Sequence, residues 1–165
     1  LWLNLPKKDK MMTPNYQHLE EEQIPKLFSK DTKVQLNVIA GEQNSVMGKI
    51  QTQTAVNVFT VNAQENGQME IEIPTQHQSL IYLLEGGVII NDTEILNKGD
   101  DQMMTFNQDG DFIRIEAQEN TVLLVLSGMP IGEKVTQYGP YVMNTQTEIL
   151  EAMRDYQQGK MGYLY

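Results

Sequence analysis

The chain offers few groups able to do chemistry. Its 165 residues hold two histidines, His18 and His77, and no cysteine. His18 lies among polar residues near the start, and His77 comes just before the apolar run SLIYLLEG (79–86). An imidazole works as a base or metal ligand when other groups converge on it. His77 is therefore the pocket candidate, with a turn histidine hydrogen-bonded at the rim of a fold as the competing reading. Ser127 in LSGMP lacks the Gly-x-Ser-x-Gly frame of a nucleophile elbow, and no second histidine is placed to act as its base. Asp100-Asp101 and Asp109-Gly-Asp111 lack the spacing of a calcium loop, and hairpin turns explain both. Gly86-Gly87 and Gly128 are turn glycines; no helix follows directly to make a phosphate cradle. The ten methionines read as core filler. No residue is assigned a catalytic role.

Twenty-two acidic against twelve basic residues give a formal charge of −10. A surface of that sign repels phosphate backbones, which disfavours direct nucleic-acid binding. The basic residues cluster once, at Lys7, Lys8 and Lys10, where a solvated loop is expected. No apolar run approaches the roughly 20 residues that span a bilayer, so no membrane partner is expected. Leu1 to Leu5 is too short for a signal peptide, and the lysines follow it instead of preceding it. Without cysteine there are no disulfides or thiolate metal sites, and a reducing, cytoplasmic setting is the simpler expectation. The opening LWLNLP reads as the end of a strand leaving something upstream, so a fragment or a processed product is expected.

The elements that would position these groups fall into three regions. Residues 1–31 are polar and irregular, broken by Pro6, Pro14 and Pro25, and read as a connector arm. LEEEQIP (19–25) has room for one short helical turn. Residues 32–128 read as about eight short strands. Val34, Leu36 and Val38 share one face, and Met69, Ile71 and Ile73 point in while Glu70 and Glu72 point out. SLIYLLEG is apolar enough for burial on both sides. Hairpins are expected at 88–96 around NDT and at 101–117 around Asp109-Gly110. Strands without intervening helices predict an all-β, antiparallel sandwich or barrel. Residues 129–165 form a closing segment with one helix, opened by a Thr145-x-x-Glu148 capping box and ended near Gly159.

Three blocks resemble the pirin family. LWLNLPKKDKMMTPNYQ (1–17) is similar to the connector that leaves the family's first cupin barrel and enters its second. VIAGE (38–42) resembles the first strand of that second barrel. The stretch 128–162, with its PIGE, YGP and VMNT blocks and a following helix, resembles the closing segment. The likeness covers essentially the whole chain, but only the second half of a two-barrel protein. It implies an RmlC-like cupin jelly roll with a C-terminal helix. It also implies that the family metal, iron, sits on three histidines and a glutamate in a first barrel upstream of Leu1. Some members resemble quercetin 2,3-dioxygenases.

The general cupin frame survives in this barrel and its ligands do not. Gly67 and Gly86 have the frame's spacing, but Ile73, Thr75 and Ser79 stand at the His, His and Glu places. A one-residue shift gives Glu72, Pro74 and Gln78. Counted from Gly99-Asp100, the second pattern puts Gly110 at its histidine place. A transition-metal site needs several converging imidazole or carboxylate ligands, so no metal or other cofactor is expected here. The chain is expected to be a non-catalytic module, scaffold or binding surface. The alternative is part of an oxygenase whose metal lies in the upstream barrel. Trp2, Leu3 and Leu5 at one end and Ile149, Met153 and Tyr156 at the other are the interface candidates. They are expected to meet the other barrel or to form a homodimer, unless the arm folds back over its own barrel or the helix alone covers that face.

Overall fold

The computed structural model describes residues 1–99 and 102–161. They divide into two compact units, residues 19–130 and residues 1–18 with the chain from Ile131 onward. The larger unit contains β1 (Lys26–Phe28), β2 (Val34–Ala40), β3 (Glu42–Gln43), β4 (Val46–Met47), β5 (Val56–Ala63) and β6 (Gln68–Glu72). It continues with β7 (Gln78–Glu85), β8 (Gly87–Ile90), β9 (Glu94–Asn97), β10 (Met103–Thr105), β11 (Phe112–Ala117) and β12 (Thr121–Gly128). Six strands pair in the order β1-β2-β5-β12-β7-β10 and four in the order β6-β11-β8-β9; β3 and β4 form a separate short hairpin. Every pairing of named strands is antiparallel.

Alternation is what drives this arrangement. Leu36, Val38, Phe59, Val61, Ile81, Leu83, Leu123 and Val125 line the inner face of the larger sheet. Ile71, Val88, Ile90, Ile113 and Ile115 line the inner face of the smaller one, and all belong to one buried cluster. Alternate residues of a strand share a face, so each strand contributes every second side chain to the space between two stacked sheets. Full burial of one such side chain stabilises by about 1.5–3 kcal/mol. The result is the all-β antiparallel sandwich expected from the strand pattern.

Three details differ from the sequence reading. The stretches around Asp109-Gly110 do not form a hairpin. β10 pairs with β7 in the larger sheet, whereas β11 pairs with β6 and β8 in the smaller one. The connection crosses between sheets, and Gly110 is absent from the positive-φ positions that a two-residue hairpin turn requires. Second, β7 is not buried on both sides: Ile81 and Leu83 face the core, while Tyr82 and Leu84 are exposed. A sandwich covers only one face of each sheet, so an apolar run can still have a solvent side. Third, the expected arm of residues 1–31 divides. Residues 19–31 belong to the barrel unit, and Lys26–Phe28 add β1 to the edge of β2. The strand is only three residues long, which gives alternation too little length to register.

In the smaller unit, β13 (Thr136–Tyr138) and β14 (Tyr141–Met143) form a hairpin followed by α1 (Gln146–Gln157). The helix starts where the capping box predicts. Glu148 N–H donates to Thr145 Oγ1 (3.3 Å), and Glu148 Oε2 accepts from Thr145 N–H (2.9 Å). Two of the orphan donors at a helix start are thereby satisfied. Gly159 follows with φ +69, the left-handed stop that favours glycine. The N-terminal segment joins this unit through Lys7. Its Nζ lies 2.7 Å from Glu148 Oε1, and its backbone N–H donates to Glu133 Oε2 (2.7 Å). Lys7 is therefore an ordered partner and not merely part of a solvated loop.

Candidate functional site

Buried polar residues gather at one end of the barrel unit. Asn57 on β5, Ser127 on β12 and Ser79 on β7 lie side by side in the strand register. Asn57 and Ser127 are both buried. His77 immediately precedes β7 and closes the turn Pro74–His77, its N–H donating to the Pro74 carbonyl (2.8 Å). The turn aims the ring inward, where only 7% of the residue remains exposed. Nδ1 lies 3.1 Å from Ser127 Oγ. Burial lowers the imidazole's pKa from its ordinary value, because a charged ring loses more hydration than a neutral one. The neutral ring is the form the fold favours.

The ring borders a cavity of about 280 Å³. Its lining includes Ile73, Ser79 and Gly110, three of the four places where the cupin frame calls for metal ligands. The fold therefore does bring the frame positions together. What stands there is a branched aliphatic chain, a hydroxyl and a glycine. Thr75, the fourth place, is exposed and borders a neighbouring open cleft of about 1100 Å³ along with Glu42, Glu72 and Asp111. Hydroxyls and an isoleucine are a poor donor set for a transition metal, which prefers imidazole, thiolate or carboxylate groups. Among the described residues no group of three or more His, Cys, Asp or Glu is placed to hold an ion. Asp100 and Asp101, weighed above for calcium, lie outside the described residues. The residues present do not fit the family metal.

The glycines of the frame persist for structural reasons. Gly86, between β7 and β8, has φ +82, and a Cβ there would collide with the Asn120 carbonyl oxygen. A Cβ on Gly67 would come within 2.9 Å of the Gln64 carbonyl oxygen. Backbone geometry keeps these positions whether or not a metal is bound.

The His77–Ser127 pair escaped the sequence reading, which found no histidine placed to serve Ser127. Fifty residues separate the two, and only the pairing of β7 with β12 unites them. The histidine itself was singled out; its partner carried no local signal. Ser127 is buried and is not among the residues lining this cavity, so its hydroxyl meets the ring and not that space.

The interface candidates differ in exposure. Trp2 and Leu3 are exposed, as is Tyr156, while Leu5 and Met153 are half-buried. Ile149 is fully buried within the chain and drops out. Its i, i+3 spacing with Ala152, also buried, puts it on the inward side of α1. His18 is exposed, and its ring stacks near that of Tyr16 with centroids 6.5 Å apart.

Comparison with known proteins gives a consistent result. Residues 58–162 match the family described as the pirin C-terminal cupin domain. Human pirin is 33% identical over 165 residues, covering 99% of this chain and 56% of pirin. Pirin-like protein 2 of Arabidopsis thaliana is 32% identical over 169 residues, 99% of this chain and 52% of its own length. A crystal structure of quercetin 2,3-dioxygenase from Acinetobacter baumannii superposes with a TM-score of 0.88 at 35% identity, covering 98% of this chain and 55% of that one. The chain spans about half the length of the curated relatives it matches.

Proposed function

We propose that this chain, which belongs to the pirin family, serves there as a non-catalytic cupin barrel, a scaffold or binding module and not a site of oxidation. One observation carries the reading. Three places of the cupin frame converge on one cavity, and they hold Ile73, Ser79 and Gly110. Converging geometry without ligands describes a barrel kept for its shape. Elemental analysis of the purified 165-residue chain tests this. Less than about 0.1 equivalent of iron, copper, manganese or nickel is expected, given the donor set. One equivalent that is lost in His77→Ala would overturn it.

A second reading is favoured by the likeness to a quercetin 2,3-dioxygenase. In it the barrel is one part of a metal-dependent oxygenase whose metal sits in another barrel. The relatives' greater length leaves room for such a barrel. Flavonol turnover by the longer protein, undiminished in its His77→Ala variant, would support this reading and leave this barrel non-catalytic.

The assembly proposed is with that other barrel or with a second copy, through exposed Trp2 and Leu3. Light scattering on the wild-type chain and on Trp2→Asp tests it. A concentration-dependent dimer lost in the variant is the expected result. A wild type that stays monomeric at high concentration ends the homodimer proposal.

A further inference from the structure

The outer face of the larger sheet carries an open groove of about 500 Å³ that shares no lining residue with the cavity beside His77. One row of paired residues crosses it. Phe28 on β1 faces Gln35 on β2, which faces Asn62 on β5. The row continues to Val122 on β12 and Glu85 on β7. Leu36, Val61 and Leu123, next to these residues in their strands, point into the core, so the row points away from it. Gln64 and Asn120 add two more carboxamides to the lining. Phe28 stands at the sheet edge with 56% of its surface exposed.

Two features distinguish this groove from ordinary polar surface. One is order. Gln35 Nε2 donates to Asn37 Oδ1 (2.8 Å), and Asn37 Nδ2 donates to Thr60 Oγ1 (2.9 Å). This chain of amides fixes the Gln35 side chain and leaves its Oε1 as an oriented acceptor. The side-chain amides of Asn62, Gln64 and Asn120 make no hydrogen bond to the described residues. The other feature is charge. In a chain of −10, the groove is lined by one lysine, Lys33, and one acid, Glu85. Lys33 Nζ donates to the Glu65 carbonyl (3.3 Å).

From this juxtaposition of an exposed aromatic ring and carboxamides we infer that the groove binds a neutral saccharide, one sugar ring stacked on Phe28 and the next held by Gln35 and Asn62. A carboxamide presents a donor and an acceptor side by side, and two neighbouring sugar hydroxyls answer both. The C–H face of a sugar ring packs on the face of an aromatic side chain. Neighbouring strands lie about 4.8 Å apart, so two strand steps separate Phe28 from Asn62 by about 10 Å, the reach of two linked sugar rings. An apolar ligand would strip water from the amides without replacing their hydrogen bonds. An anion would meet Glu85 on an acidic chain, with the Lys33 ammonium turned to the backbone. The inference deepens the binding-module reading, and its test is independent of the metal content that decides that reading.

The test is a titration of the 165-residue chain with cellobiose, maltose, the methyl glycosides of glucose, galactose and mannose, and glucuronate, followed by NMR. At least one neutral sugar is expected to saturate with a dissociation constant on the order of 1 mM, as suits an open groove. The side-chain amide resonances of Gln35 and Asn62 and the ring resonances of Phe28 should move together, while the His77 ring does not. The favoured disaccharide should bind more tightly than its one-ring glycoside, and glucuronate more weakly than the glucoside. Phe28→Ala should weaken binding about tenfold, and Phe28→Trp should retain it, since the stacking surface is what matters. Asn62→Ala, in the middle of the sheet, should weaken binding about fivefold, the worth of one net hydrogen bond. It keeps the proposal testable if Phe28→Ala frays β1, with folding checked by circular dichroism. Tighter glucuronate would overturn neutrality. Shifts confined to residues outside the groove would overturn the site. No shift with any of these sugars up to about 50 mM, far above the expected constant, would overturn the proposal whether or not the barrel is metal-free.

Discussion

The barrel unit buries eighteen apolar side chains in one cluster drawn from both sheets. In the unit formed by the chain ends, the buried hydrophobic residues of α1 are Ile149 and Ala152. There, polar contacts carry more of the order: Lys7 with Glu148 and Glu133, Asn144 with Glu133 and Glu148, and Thr145 with Glu148. The barrel is thus specified by repetition, with many interchangeable apolar positions. The terminal unit is specified by a few named pairs. Damage should be large and global in the first and small and local in the second.

The largest expected effect breaks the barrel side of this contrast. Phe59 is fully buried at the centre of the larger sheet. Phe59→Ala should cost about 3–5 kcal/mol of unfolding free energy by leaving a cavity in close-packed surroundings. Chemical denaturation followed by far-ultraviolet circular dichroism measures it. A loss below about 1 kcal/mol, the size of an ordinary substitution, would mean that the cluster is not what holds the sandwich. On the other side, Thr145→Ala removes the N-cap oxygen of α1 and should cost about 1 kcal/mol. Hydrogen exchange should show the loss in the first turn of α1 while amides of β5 and β12 keep their protection. Equal loss in both places would show that the two units unfold together.

The smallest effects sharpen the comparison through pH. The Glu148 carboxyl is held below its ordinary value of 4.5 by its hydrogen bond to Lys7, and Lys7 is raised above 10.5 by the same contact. The carboxylate's contribution is full above the unfolded value and fades as pH falls through the lowered folded one. The ammonium's is full below 10.5 and fades as pH rises through the raised folded value. Lys7→Met should flatten both limbs, and high salt should mimic it. His77 acts elsewhere on the scale. Its folded pKa is lowered from 6.5 by burial, so the unfolded chain takes up the proton first and stability declines as pH drops below that value. His77→Gln should remove this near-neutral slope and leave the acid and alkaline limbs unchanged. Urea midpoints taken across the pH range separate the two sets of groups.

Much of this was legible in the sequence, and the gaps have a common cause. β2 in the larger sheet and β6 in the smaller announced themselves by alternation, because a half-buried strand repeats its environment every two residues, whereas β7 was legible only as an apolar run. The start of α1 was legible because a capping box is local. Pairing was not legible. Met103–Thr105 and Phe112–Ala117 are real strands, yet nothing within them says that they join different sheets. The site shows the same division. The degenerate ligand places and the histidine could be read from spacing, and Gly67 and Gly86 fixed the frame. That Nδ1 would find Ser127 across fifty residues depended on which strand lies beside β7, a property of the topology and not of either neighbourhood.

The larger sheet ends at both sides in strands of three residues, β1 and β10. Pro25 stands just before β1 and has no N–H to donate, while its carbonyl is already taken by Val38 N–H at 2.9 Å. Lys26, the first residue of β1, is exposed. In the smaller sheet, the edge strand β6 ends at Glu72. The Gln43 side-chain amide, in the orientation that satisfies both bonds, meets Glu72's N–H at 3.0 Å and C=O at 3.2 Å. A passing chain in extended form would find only three-residue edges on which to lengthen the larger sheet, and at β6 the Glu72 backbone already taken. The practical consequence concerns concentrated or crowded solutions. Growth of this barrel into fibrils would have to begin with these borders coming loose, so slow turbidity after mild heating should track fraying of β1, not melting of the core.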